Sequence, residues 1–137
     1  MLFKSVKPRL HFSNWGQTRN VPKEDVYSIM VWTPKWVDVH QKIPVLVPEE
    51  ANLVAYQNGS MGIREYSARY LTALSEKLDQ LTPVALMDSY DLLVPEDAYL
   101  CCTCSKKKAA NNECHRTWAA YLLAEAGWLV TLDGNIL

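Results

Sequence analysis

The sequence predicts a single α/β domain, a Rossmann-like three-layer sandwich with a mostly parallel sheet. Three observations carry that expectation. The chain has 137 residues, enough for one core and too few for two. Short apolar runs rich in β-branched and aromatic residues alternate with segments of helical periodicity. The last third reads strand, helix, strand, which is the order of a crossover unit in a parallel sheet.

Residues 1–25 form an irregular N-terminal segment, polar and interrupted by Pro8, Gly16 and Pro22. VYSIMVW (26–32) is a nearly continuous apolar run, the pattern of a strand covered on both faces. It ends at Thr33-Pro34, because proline cannot continue a central strand. VPEEANLVAYQNG (47–59) reads as a helix, with Pro48 suited to the first position. Glu49 and Glu50 favour its positive end, and Asn58-Gly59 supply the stop.

GIREYSARYLTALSEKLDQL, from Gly62, is the clearest helix. Ile63, Tyr66, Tyr70, Leu74, Leu78 and Leu81 recur at spacings of three and four. Thr82-Pro83 then resets the chain as an N-cap and first-turn proline. VALMDSYDLL after it fits a short helix, with a strand at 83–88 as the competing assignment. AYLCCTC (98–104) is strand-like, and a lysine-rich loop follows. The last helix is expected from about Glu113 to Ala126, capped by Asn111 or Asn112 and stopped by Gly127. WLVTL (128–132) is the final strand.

Net charge is −1 and the sequence pI is near 6.3, so no whole-molecule field draws the chain to nucleic acid. No apolar run approaches a membrane span, and MLFKSVKPRLHF lacks the apolar stretch of a secretory signal. The chain is therefore expected to be cytoplasmic, with reduced thiols and no membrane partner. Five tryptophans and seven tyrosines supply core mass, and a homodimer interface is another use for them.

All four cysteines lie in CCTCSKKKAANNECHRTW (101–118). In open parallel sheets, ligands sit beyond the carboxyl ends of the strands. That rule places Cys102 and Cys104 at the mouth of a crevice, opposite the start of the last helix. Two chemistries fit. In one, the positive helix end makes Cys114 a thiolate nucleophile, with His115 as acid/base partner and Arg116 clamping a phosphate or carboxylate. In the other, Cys102, Cys104, Cys114 and His115 hold zinc, although C-x-C-x9-C-H is not the spacing of a finger or ribbon. Against both stands plain packing, with Cys101 and Cys102 as small core residues and the lysine run as a solvated turn. His11 and His40 lack obvious partners and read as surface residues. SIMVWTPKW (28–36) brings Ser28, Thr33, Lys35 and Trp36 as candidate ligand-binding residues of the same crevice, although Trp32 and Trp36 equally suit a core.

Four segments together resemble the domain of unknown function family 488, which includes small YeaO-like proteins. They are YSIMVWTPKW, then VLVPEEANLVAYQNGSMGIREYSARYLTAL, then a strand ending in cysteine, then CHR opening a helix. The resemblance covers roughly residues 26–132 and rests on Ser28, Pro34, Trp36, Tyr66, Tyr70, Cys102, Cys114, His115 and Arg116. It implies a Rossmann-like fold and no settled activity. Where members of that family usually place a glutamate two residues after the strand cysteine, this chain has Cys104. A thiol there weakens a shared acid/base mechanism and favours zinc.

The first functional expectation is a small domain that binds a nucleotide or nucleic-acid phosphate at the Cys-His-Arg helix start, with thiol-based catalysis through Cys114 as an extension. The alternative is a non-enzymatic ligand-binding, sequestering or adaptor module, of viral or defence origin, with structural zinc.

Overall fold

The structure, a computed structural model, describes residues 9–39, 41–80 and 97–137, with side chains omitted for 78–80. Among the described residues the strands are β1 (Leu10–Asn14), β2 (Val26–Ser28), β3 (Ala98–Cys102), β4 (Val130–Leu132) and β5 (Asn135–Ile136). The helices are α1 (Glu50–Gln57), α2 (Ile63–Gln80), α3 (Lys106–Ala110) and α4 (His115–Glu125). Short 3-10 turns at Trp15–Thr18, Lys23–Asp25 and Pro44–Leu46 join them.

The strands form one five-stranded sheet in the order β2-β3-β1-β4-β5. All pairings are parallel except β4 with β5, which close a hairpin. Asp133 and Gly134 make that turn with φ of 49° and 89°. Two consecutive positive φ values are what a tight hairpin of the right twist demands, and Asp-Gly supplies them at low cost.

The fold is thus mixed α/β with a mostly parallel sheet, and its centre lies where the sequence reads as irregular. LHFSN is the central strand β1, paired with both β3 and β4. Five residues are too few to stand out as an alternating run beside Pro8 and Gly16, yet the alternation is there. Leu10 and Phe12 are fully buried, while His11 and Ser13 point to the opposite face. VYSIMVW, expected as a covered central strand, contributes only Val26–Ser28 at the edge. Past Ser28 the chain bends, and Ser28 meets Lys42 in an isolated bridge.

The three later expectations agree more closely. AYLCC is β3, the helix of the Tyr66/Tyr70 stripe is α2, and the last helix stops at Gly127 with φ 96°. Its N-cap is Cys114 rather than Asn111 or Asn112, because the lysine run is itself a helical turn. Ser105 caps that turn, accepting from the Lys108 amide at 3.1 Å. Leu81, Leu78's side chain, His40 and the segment VALMDSYDLL fall outside the described residues.

Period-two alternation sorts the sheet into two faces. Leu10, Phe12, Ala98, Leu100, Cys102, Val130 and Leu132 join the main core with Tyr66, Tyr70 and Leu74 of α2 and Trp118, Ala119 and Leu123 of α4. Cys101 faces the other way, into a smaller cluster with Trp15 and Val26. Tyr70 ties α2 to the Pro44–Leu46 turn by donating its hydroxyl to the Leu46 carbonyl at 2.8 Å. No helix among the described residues is long and apolar enough to cross a membrane.

Candidate metal centre

The end of β3, the lysine-rich turn and the start of α4 converge on one point. Cys102 is the last residue of β3 and faces the helices, and Cys104 follows two residues later on the same side. Cys114 is the N-cap of α4, with extended backbone and no side-chain capping bond, so its sulfur is not spent on the helix. Two bonds hold the turn against α4. Thr117 Oγ1 donates to the Ala109 carbonyl at 2.8 Å, and Trp118 Nε1 to that of Asn112 at 3.0 Å. The sulfurs of Cys102, Cys104 and Cys114 lie within 4.8 Å of one another, and those of Cys102 and Cys114 are 3.4 Å apart. No disulfide joins them.

Arg116 lies beneath this cluster and is fully buried. Its Nη1 donates to Cys102 Sγ at 3.1 Å and to the Cys104 carbonyl at 2.6 Å. Its Nη2 donates to both Asp133 oxygens, at 3.0 and 3.1 Å, and to the Ser105 carbonyl at 3.4 Å. Burial works against its charge, but Cys102 and Asp133 outweigh that cost and keep the guanidinium protonated. A group spent on five internal acceptors cannot also clamp an anion in a crevice. Arg116 instead locks the end of β3 and the β4–β5 turn together.

The sulfurs divide into one acceptor and two donors. Hydrogen bonds from the Cys102 thiol and then the Cys114 thiol pull Cys104 far below the ordinary thiol range, with Lys108 and His115 adding to the effect against burial. The same contacts push Cys114 up, Cys102 acting first and Cys104 second. Cys102 is raised as well, chiefly by Cys104. These contacts favour the thiol form at Cys114 and the thiolate at Cys104, the more exposed of the three. Cys101, on the other face, is pushed up to about 12 by burial and is a packing residue.

His115 stands beside the cluster without joining it. Its Nε2 faces the Ile29 carbonyl at 2.7 Å, and since a carbonyl only accepts, that nitrogen carries the proton. The ring packs edge-on to Tyr70, and burial lowers its pKa to about 4, so it is neutral. Among the described residues the group of metal-capable atoms contains three members of the zinc set expected from the sequence, the sulfurs of Cys102, Cys104 and Cys114, and not His115.

Above the sulfurs opens a cleft of about 330 Å³. Met30, Trp32, Leu53, Tyr56 and Tyr66 give it an apolar and aromatic lining, and Lys108 is its cation. Of the other candidate residues, Ser28 is fully buried. Its Oγ accepts from the Thr33 hydroxyl at 2.7 Å and the Met30 amide at 3.2 Å, so both Ser28 and Thr33 shape the loop rather than the cleft. Lys35 and Trp36 do not line the cleft, and Trp36 is 73% exposed. His11 has partners after all: Thr131 Oγ1 at 2.6 Å and Asp97 at 2.9 Å.

Sequence reasoning missed Asp133, the partner of Arg116. The Asp133-Gly134 pair is a hairpin signal that this reasoning, ending at the strand 128–132, did not use, and nothing local ties residue 133 to residue 116. It also weighed Trp32 as core, and the structure turns it toward the cleft at 50% exposure. No protein-family profile matches the chain, and neither the curated proteins nor the solved structures contain a match.

Proposed function

We propose that this protein is a soft-ion binding module, with Cys102, Cys104 and Cys114 as a three-thiolate centre at the floor of an accessible cleft. The observation that carries the reading is the mutual approach of three sulfurs within 4.8 Å. Thiolates select d10 and other soft ions over magnesium or calcium, and three protein ligands leave a further position open to the cleft. Arg116 donates to Cys102 Sγ and so supplies the outer hydrogen bond that holds a metal-bound thiolate in place. The buried ion pair behind it explains why a charged residue sits in the core at all.

The reading favours the non-enzymatic binding alternative over thiol catalysis, because Arg116 is turned inward to Asp133 and the Cys104 and Ser105 carbonyls, and the neighbouring sulfurs disfavour a thiolate at Cys114. A nucleotide phosphate as a second occupant of the cleft has one specific support. Lys108, Trp32 and Tyr56 line the space above the sulfurs, together with Glu113. A Rossmann-like three-layer sandwich and membership of the YeaO-like family belong to the same proposal and rest on the sequence.

Thiol protection tests the reading. Zinc added to reduced protein should shield three of the four cysteines from iodoacetamide, leaving the reactivity of Cys101 unchanged. Equal labelling of Cys102, Cys104 and Cys114 with and without zinc would refute it.

A further inference from the structure

The donor set and its charge narrow the ion class. Among the described residues three atoms lie close enough to share an ion, the sulfurs of Cys102, Cys104 and Cys114, and neither ring nitrogen of His115 joins them. A divalent ion bound to three thiolates leaves one net negative charge. Among the described residues the buried cation beside the sulfurs is Arg116, and Asp133 already neutralises it through two oxygens. The excess charge would sit between buried Cys102 and Cys114 and a mostly apolar cleft whose cation, Lys108, is exposed to solvent and accompanied by Glu113, so that its compensation is weak. A trivalent centre with three thiolates is neutral, needs no fourth ligand and is trigonal-pyramidal.

We infer that the centre is built for a trivalent metalloid hydroxide, arsenite or antimonite, bound as a neutral tris-thiolate of Cys102, Cys104 and Cys114. This rests on the soft-ion reading above and names its ligand class. Loading is a condensation without redox change. Each metalloid–oxygen bond is replaced by a metalloid–sulfur bond, and the hydroxide leaves as water with the thiol proton or, at Cys104, with one from solvent. One trihydroxide, the Cys102 and Cys114 thiols, the Cys104 thiolate and one proton from solvent thus give the tris-thiolate and three waters, and the metalloid stays trivalent. The product adds no charge to the buried floor, and Arg116 keeps both of its anchors.

The test uses the full-length reduced protein with sodium arsenite, and zinc chloride as a parallel arm. The expected result is one arsenic per chain, three sulfur neighbours and no oxygen by X-ray absorption at the arsenic edge, and displacement of zinc by arsenite at equal concentration. Cys104→Ser should lose tight arsenite binding, and Cys101→Ser should retain it. Because Cys104 is the half-exposed member, its variant should keep the wild-type circular dichroism, and Cys114→Ser provides a second probe of the same loss. Zinc bound by the same cysteines and resistant to arsenite would overturn the metalloid assignment and leave the soft-ion reading intact. Failure of both ions to bind would overturn both, and an arsenic shell containing oxygen would overturn the tris-thiolate.

Discussion

At the scale of single residues, Arg116 and Cys104 divide the work of the site between structure and access. Arg116 is buried with Asp133 as its only carboxylate partner among the described residues, and removing that partner strands a charge in the core. Asp133→Ala should therefore cost about 3 kcal/mol in a urea titration, the usual range for a broken buried pair. A loss under about 0.5 kcal/mol would mean that the carbonyls of Cys104 and Ser105 suffice. Cys104 is the half-exposed cysteine of the four. In ion-free protein, mass-mapped alkylation should label it first, with Cys101, Cys102 and Cys114 following only as the chain opens. Early labelling of Cys114 would instead restore the helix-end nucleophile.

At the scale of elements, Tyr70 adds a hydrogen bond to the apolar stripe that holds α2. Tyr70→Phe leaves the Leu46 carbonyl without its donor, and a loss of about 1–2 kcal/mol is expected from equilibrium unfolding. The same residue predicts an alkaline limit. Burial holds the folded Tyr70 pKa well above its ordinary value near 10, so the unfolded chain gives up that proton first. As pH rises past about 10 the unfolded state binds fewer protons, and stability falls. Urea midpoints between about pH 8 and about pH 11 should drop less steeply in Tyr70→Phe than in wild type.

These elements also show what could be read before the fold was known. The stripe Tyr66, Tyr70, Leu74 and the strand AYLCC were legible because burial on one side imprints a period on neighbouring residues. β1 was not, since a five-residue strand with a histidine and a serine on its second face offers little pattern. The convergence of Cys102 and Cys104 with Cys114 followed from the rule about strand ends. The turning inward of Arg116 did not, because it depends on Asp133, which only the β4–β5 hairpin brings near.

For the whole molecule, an ion that binds only the folded chain adds stability by mass action. At about 100 times its dissociation constant the gain is about 2.7 kcal/mol. Zinc or arsenite should accordingly raise the melting temperature of the wild type, and the rise should vanish in Cys104→Ser while the ion-free variant melts near the wild type. A shift that persists in the variant would place the ion elsewhere on the chain.

Cobalt(II) titration of the reduced protein addresses the three-thiolate centre most directly. Sulfur-to-cobalt charge-transfer absorption should grow and saturate at one ion per chain, and it should collapse in each of Cys102→Ser, Cys104→Ser and Cys114→Ser but survive Cys101→Ser. No charge-transfer band, or a band untouched by Cys104→Ser, would contradict the account.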